Sequence, residues 1–156
     1  MATKTNAVRL VQQAGIPCRE AFYEFDEHDL NGNHAAAAIG KPSEEVFKTL
    51  VARGERTGIN VFCIPVCCEL DLKKAAKAAG DKNMELVPVK ELLTLTGYIR
   101  GGCSPVGMKK KYPTYFDETC QLYDEIAVSA GARGYQMLLP PEALAALVGA
   151  KLVDII

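Results

Sequence analysis

Lys48 is the residue most able to do chemistry. It stands in Val46-Phe47-Lys48-Thr49-Leu50-Val51-Ala52-Arg53, a run apolar on both faces except at Lys48 and Thr49. As a strand, Phe47, Thr49 and Val51 point one way, and Val46, Lys48, Leu50 and Ala52 the other. A strand apolar on both sides is usually buried on both sides. Its lysine then either holds an amine among apolar neighbours, where charge is costly and reactivity is tuned, or snorkels that amine to water. Fully buried lysines are rare, so this window alone favours the second. A second candidate is Gly101-Gly102-Cys103-Ser104-Pro105. Paired glycines let backbone N–H groups converge on a carbonyl oxygen or an oxyanion, although an isolated Gly-Gly is more often a plain turn. Ser129-Ala130-Gly131 places a third polar group at a strand end.

Other chemistries find less support. Cys103 and Ser104 are nucleophile types, yet neither His28 nor His34 lies in a catalytic context and no Gly-x-Ser-x-Gly elbow occurs. Gly102 and Gly107 have Walker-loop spacing, but Met108 follows where Lys-Ser/Thr is required, and Gly-x-Gly-x-x-Gly is absent. None of the six cysteines forms a Cys-x-x-Cys pair and neither histidine lies near them in sequence, so tetrahedral zinc spacing is missing. Adjacent Cys67 and Cys68 read as packing, since neighbours rarely bridge each other. Lysines cluster at Lys73, Lys74 and Lys77 and at Lys109, Lys110 and Lys111. Such patches suit a phosphate backbone or simply a solvated face.

These groups need a frame. The 156 residues suit one domain over positions 1–156, and 49% hydrophobic with 24% charged residues is an ordinary globular composition. A net charge of -1 gives no global pull toward nucleic acid. No secretory signal follows Met1, and no apolar run approaches ~18 residues, so a cytoplasmic protein with reduced thiols and no membrane partner is expected.

In chain order, Thr5 to Ala14 reads as a helix capped by Thr5 or Thr3, with Ala7, Leu10, Val11 and Ala14 on its core face. Cys18 to Phe25 is extended. His34 to Ile39 is helical, and Pro42 to Glu45 makes a helical turn before the Lys48 strand. Ile59 to Pro65 is a strand. Asp71 caps a helix to Ala79, with Leu72, Ala76 and Ala79 inward and Gly80 as stop. Met84 to Val87 is a strand and Val89 to Leu95 a helix. Tyr98 to Lys111 is a loop long enough to be functional or mobile. Thr114 to Asp117 is a strand. Ile126 to Ala130 and Tyr135 to Leu139 form a hairpin around Gly131 to Gly134. A helix from Pro140-Pro141 to Val148 and a strand from Lys151 close the chain. Seven or so strands with one hairpin exclude an all-parallel sheet. The expected class is mixed α/β, a partly closed barrel of six to seven strands with helices outside.

Taken together, Val46-Phe47-Lys48-Thr49-Leu50, Glu69-Leu70-Asp71-Leu72-Lys73-Lys74, Thr96-Gly97-Tyr98, Gly101-Gly102-Cys103-Ser104-Pro105 with Gly107, and Val128-Ser129-Ala130-Gly131 with Arg133-Gly134 resemble the YbaK/EbsC family. These are free-standing relatives of the editing domain inserted in bacterial prolyl-tRNA synthetases, and the likeness runs over essentially the whole chain. Within the family the chain is most similar to the cysteinyl-tRNA(Pro) deacylase group. The resemblance implies a barrel-like α/β fold, no metal or other cofactor, and removal of cysteine mischarged onto tRNA(Pro). Cysteine and proline are too similar in size for one sieve to separate them, so a second site edits. It makes Lys48, Gly101 and Gly102 catalytic, and Tyr23, Thr49, Ser104, Ser129 and Gly131 substrate-binding. For such a substrate the basic patches offer Lys73, Lys77, Lys109 and Lys110 as contacts to tRNA, with prolyl-tRNA synthetase a further candidate partner. The resemblance implies that the substrate's own thiol attacks its ester carbonyl, so that cysteine is released as a cyclic thiolactone and the tRNA keeps its hydroxyl. Editing of another small amino acid such as alanine, and a non-catalytic module that binds tRNA or the synthetase, are the alternatives. Two departures bear on specificity: Val66-Cys67-Cys68 replaces a more polar or smaller stretch, and Cys103 stands where an aliphatic residue is also common.

Overall fold

The computed structural model describes residues 4–156. Helix α1 (Asn6–Gln13) is capped by Thr5, whose hydroxyl oxygen accepts from the Val8 N–H at 3.3 Å. The same hydroxyl donates to the Ala130 carbonyl, so the cap also fastens the helix to the sheet. Thr3, the other expected cap, lies outside the described residues. The buried stripe is Ala7, Val8 and Val11, while Ala14 is the exposed C-cap. The core face is thus rotated from the expected one. Strand β1 (Arg19–Phe22) is shorter than the Cys18 to Phe25 run, and helix α2 (Gly32–Ile39) starts two residues earlier than expected because Asn31 caps it. A single 3-10 turn, Ser43–Glu45, leads into β2 (Phe47–Gly54). Strand β3 (Gly58–Pro65) returns antiparallel to it.

Helix α3 (Leu72–Ala79) obeys its caps: Asp71 accepts from the Lys73 and Lys74 N–H groups, and Gly80 takes the left-handed conformation at φ 72°. Its buried residues are Ala75 and Ala76; Leu72, expected inward, is 40% exposed. Two adjacent alanines let the helix approach Phe62 and Ile64 closely. Strand β4 (Met84–Leu86) and helix α4 (Val89–Thr96) precede the long loop. Strand β5 (Thr114–Asp117) is followed by an unanticipated 3-10 segment, Glu118–Leu122. Strands β6 (Ile126–Ala132) and β7 (Tyr135–Leu139) form the hairpin, with a bulge between Ser129 and Ala132. Helix α5 (Pro141–Val148) and strand β8 (Lys151–Val153) end the chain.

The strands form two sheets, β1-β7-β6 and β4-β2-β3-β5-β8. The first is antiparallel; in the second, β3, β5 and β8 run parallel. The mixed α/β class holds, but the described strands do not close into a barrel. An isolated parallel bridge from Val46 to Ala127 links the sheets. Alternation along the strands explains the layering. Val61 and Cys63 join Val128, Ala130, Met137 and Leu139 in a core between the sheets, whereas Phe62 and Ile64 turn to α3. Ala127 and Leu138 turn to α2 on the opposite side. No helix among the described residues is long and apolar enough to cross a membrane.

One carboxylate ties the β2–β3 turn to the end of α3. Asp81 accepts from the Arg56, Thr57 and Lys82 N–H groups and from the Thr57 hydroxyl. Burial acts to raise its pKa, but these hydrogen bonds outweigh it and hold the carboxyl well below its ordinary value of 3.8. A depressed carboxyl stabilises the fold fully above its unfolded-state pKa and loses that contribution as pH falls toward the folded one. Urea midpoints of wild type and Asp81→Asn should therefore differ most above about pH 5 and converge in acid. A constant difference across that range would remove Asp81 from the acid response.

Candidate active site

The cavity owes its position to a short neighbour. Strand β4 pairs with β2 only at Ala52, Arg53 and Gly54. Val87 adds one bond, its N–H donating to the Val51 carbonyl. Ahead of Val51, β2 has no pairing with β4, and a cavity of about 690 Å³ lies along it. Lys48 and Thr49 point to opposite faces of β2, yet both reach a cavity that runs past the strand's edge. Lys48 is half-buried and has no hydrogen-bond or ion-pair partner among the described residues. Its amine is uncommitted, and its half-burial lies between the two readings of the strand.

Tyr23, Gly101 and Ser129 line the same cavity. Ser129 is 8% exposed, and its hydroxyl oxygen accepts from the Gly131 N–H at 3.1 Å. Gly131 itself does not line the cavity. At φ 102° it forms the bulge that turns Ser129, a conformation costly for any other residue. Thr49 Oγ1 lies 3.6 Å from Cys63 Sγ.

The glycine loop is held rigidly, and this corrects part of the expected site. The Gly102 N–H donates to the Ile99 carbonyl at 2.9 Å, so it is not a free oxyanion donor. A Cβ on Gly102 would sit 3.1 Å from the Ala132 and Arg133 backbone. Glycine is needed there for packing against the hairpin. Ser104 is fully buried away from the cavity, its hydroxyl oxygen accepting from the Val106 N–H at 3.2 Å. Tyr98 braces the loop by donating to the Val106 carbonyl, and Arg133 Nε by donating to the Arg100 carbonyl at 2.8 Å. Of the two glycines, only Gly101 presents itself to the cavity. Lys73, Lys77, Lys109 and Lys110 are exposed and lie outside it.

The cysteines divide sharply. Cys103 lines the cavity, but burial pushes its thiol up to about 12, against a hydrogen bond with Thr96. Cys63 is driven higher still by burial. Both are protonated, poor nucleophiles near neutral pH. Cys67 and Cys68 also line the cavity and are accessible.

Gln136 is a buried polar residue of the lining that sequence reasoning missed. It sits opposite Ser129 in the hairpin register, is 6% exposed and lines the cavity. Its Oε1 has no hydrogen-bond partner. A buried acceptor left without a donor is costly unless a ligand supplies one. The signal was a single amide in the apolar strand Tyr-Gln-Met-Leu-Leu.

The model of the family described as the aminoacyl-tRNA editing domain matches residues 32–147. The chain belongs to that family. The matched span carries Lys48, Gly101, Ser129 and Gln136, while Tyr23 precedes it. Over 152 residues the editing domain is 47% identical to a protein of Enterococcus faecalis (strain ATCC 700802 / V583) provisionally named Cys-tRNA(Pro)/Cys-tRNA(Cys) deacylase EbsC. That alignment covers 97% of this chain and 93% of the relative. A solved structure provisionally described as a trans-editing enzyme for prolyl tRNA synthetase superposes with a TM-score of 0.80 at 28% identity, covering 98% of both chains. The structure of the hypothetical protein APE2540 matches in fold, with a TM-score of 0.85 at 22% identity over 95% of this chain and 97% of that one.

Proposed function

We propose that this editing domain is a trans-acting deacylase that removes cysteine mischarged onto tRNA(Pro). The observation that carries the reading is that the uncommitted Lys48 amine and the Gly101 backbone face one cavity with Tyr23, Thr49 and Ser129. Its volume lies within the ~300–1,000 Å³ usual for small-molecule sites. The 47% identity to EbsC supports the same assignment.

In the proposed reaction the cysteine sulfur attacks the carbonyl carbon of its own ester. A C–S bond forms, the bond from carbonyl carbon to ribose oxygen breaks, and the thiol proton ends on that oxygen. Cysteine departs as a thiolactone. Lys48 stabilises negative charge developing on the carbonyl oxygen and orients the aminoacyl end, and the Gly101 amide assists it. Tyr23, Thr49 and Ser129 hold the aminoacyl group, and Gln136 Oε1 accepts from a substrate N–H or O–H. No enzyme nucleophile is needed, in keeping with the protonated Cys103. The exposed Lys73, Lys77, Lys109 and Lys110 contact the tRNA backbone, with or without the synthetase presenting it.

Deacylation of tRNA(Pro) charged with cysteine, alanine or proline, with and without prolyl-tRNA synthetase, tests the assignment. Selective loss of the cysteinyl ester is expected. Preference for alanine would replace the substrate. Salt-sensitive binding without turnover at stoichiometric protein would replace the deacylase with a binding module.

A further inference from the structure

Two accessible cysteines at the cavity play no part in the proposed reaction. Cys67 and Cys68 sit in the turn after β3, closed by the Cys68 N–H donating to the Pro65 carbonyl at 3.0 Å. The Val66 N–H donates to the Val46 carbonyl at 2.8 Å, fixing the turn beside the start of the Lys48 strand. Cys67 is exposed, Cys68 is half-buried, and both line the cavity. Their sulfurs are 3.8 Å apart. Cys63, Cys103 and Cys120 are buried, and Cys18 has no thiol neighbour in sequence. This pair is therefore the accessible dithiol among the described residues.

Geometry selects what such a pair can bind. Adjacent Cα atoms are about 3.8 Å apart across a trans peptide, below the ~4.4 Å at which disulfides begin, so a direct bridge is strained. Structural zinc takes four ligands. Among the described residues no group of three or more His, Cys, Asp and Glu is placed to hold a metal. A soft centre that spans two sulfurs and brings its own third substituent meets both limits. We infer that Cys67 and Cys68 form a dithiol site for monosubstituted trivalent arsenicals, and that an occupied site obstructs the substrate cavity.

The condensation involves no redox change. Two As–O bonds of the arsenous species break and two As–S bonds form. The two thiol protons leave in two molecules of water. Burial and the contact with Cys67 push the Cys68 thiol up, while the nearby Lys48 charge acts the other way. Lys48 lines the same cavity as both sulfurs. The obstruction rests on the proposed editing reaction; the dithiol site does not.

Phenylarsine oxide is the probe, with the full chain and intact-mass detection. One phenylarsenic unit should add per chain, resist excess monothiol, and be released by ethanedithiol. Cys67→Ser and Cys68→Ser should each abolish the monothiol-resistant adduct, and Cys18→Ser should retain it. Persistence of the adduct in the Cys67→Ser/Cys68→Ser protein, or its absence from wild type, overturns the site. Cys-tRNA(Pro) deacylation by the adduct should fall about 100-fold, as for a misplaced substrate, and recover with ethanedithiol. An unchanged rate overturns the obstruction. An adduct on a protein that deacylates nothing before treatment supports the dithiol site and sinks the editing reading separately.

Discussion

Lys48→Ala should lower kcat/KM for Cys-tRNA(Pro) by about 100- to 1,000-fold, the usual cost of one transition-state charge contact, ~3–4 kcal/mol. The variant should fold. Lys48 is half-buried and pairs with no described residue, so its removal strands no partner. Equal unfolding midpoints would confirm that the loss is chemical. Lys48→Arg keeps the charge on a bulkier, planar head and should fall between the two. A drop confined to KM would make Lys48 a binding contact alone. Deacylation at the wild-type rate would remove it from the mechanism.

Replacing the substrate's sulfur by oxygen should have a comparable effect. Ser-tRNA(Pro) presents a hydroxyl where the cysteinyl ester presents a thiol whose ordinary pKa is about 8.5. The thiol is partly ionised near neutral pH and intrinsically nucleophilic, and the hydroxyl is neither. The seryl ester should therefore react at least ~100-fold more slowly. The cysteinyl rate should rise as pH approaches the thiol's pKa, and the seryl rate should lack that rise. Single-turnover measurements on the two esters check both points. Equal rates with matching pH profiles would favour attack by water, with Lys48 and Gly101 then acting on a tetrahedral intermediate formed from outside.

Much of the frame could be read locally. Asp71 and Gly80 bracket α3 because a carboxylate satisfies the first free N–H groups and glycine accepts the left-handed stop. Within the run from Val46 to Arg53 a strand forms from Phe47, buried at Phe47, Val51 and Ala52 and half-buried from Lys48 to Leu50. The long loop, the hairpin and the grouping of Lys48, Gly101, Tyr23, Thr49 and Ser129 also followed from sequence and resemblance. Faces of short helices were less secure. In α1 and α3 several apolar residues compete, and only the sheet decides which stripe is covered.

Residue type, periodicity and capping act over a few neighbouring positions, and to that extent the chain by itself specified its elements and its candidate lysine. What those elements do together depends on contacts between distant segments. The shortness of β4 opens the edge of β2 and makes the cavity. The close approach of the Ala132–Arg133 backbone fixes Gly102, whose N–H is already given to Ile99. Pairing of β6 with β7 sets Gln136 opposite Ser129 and leaves its carbonyl oxygen without a donor. Those features arise when non-local strands meet, because only then is it settled which backbone groups are already bonded and which remain for a substrate.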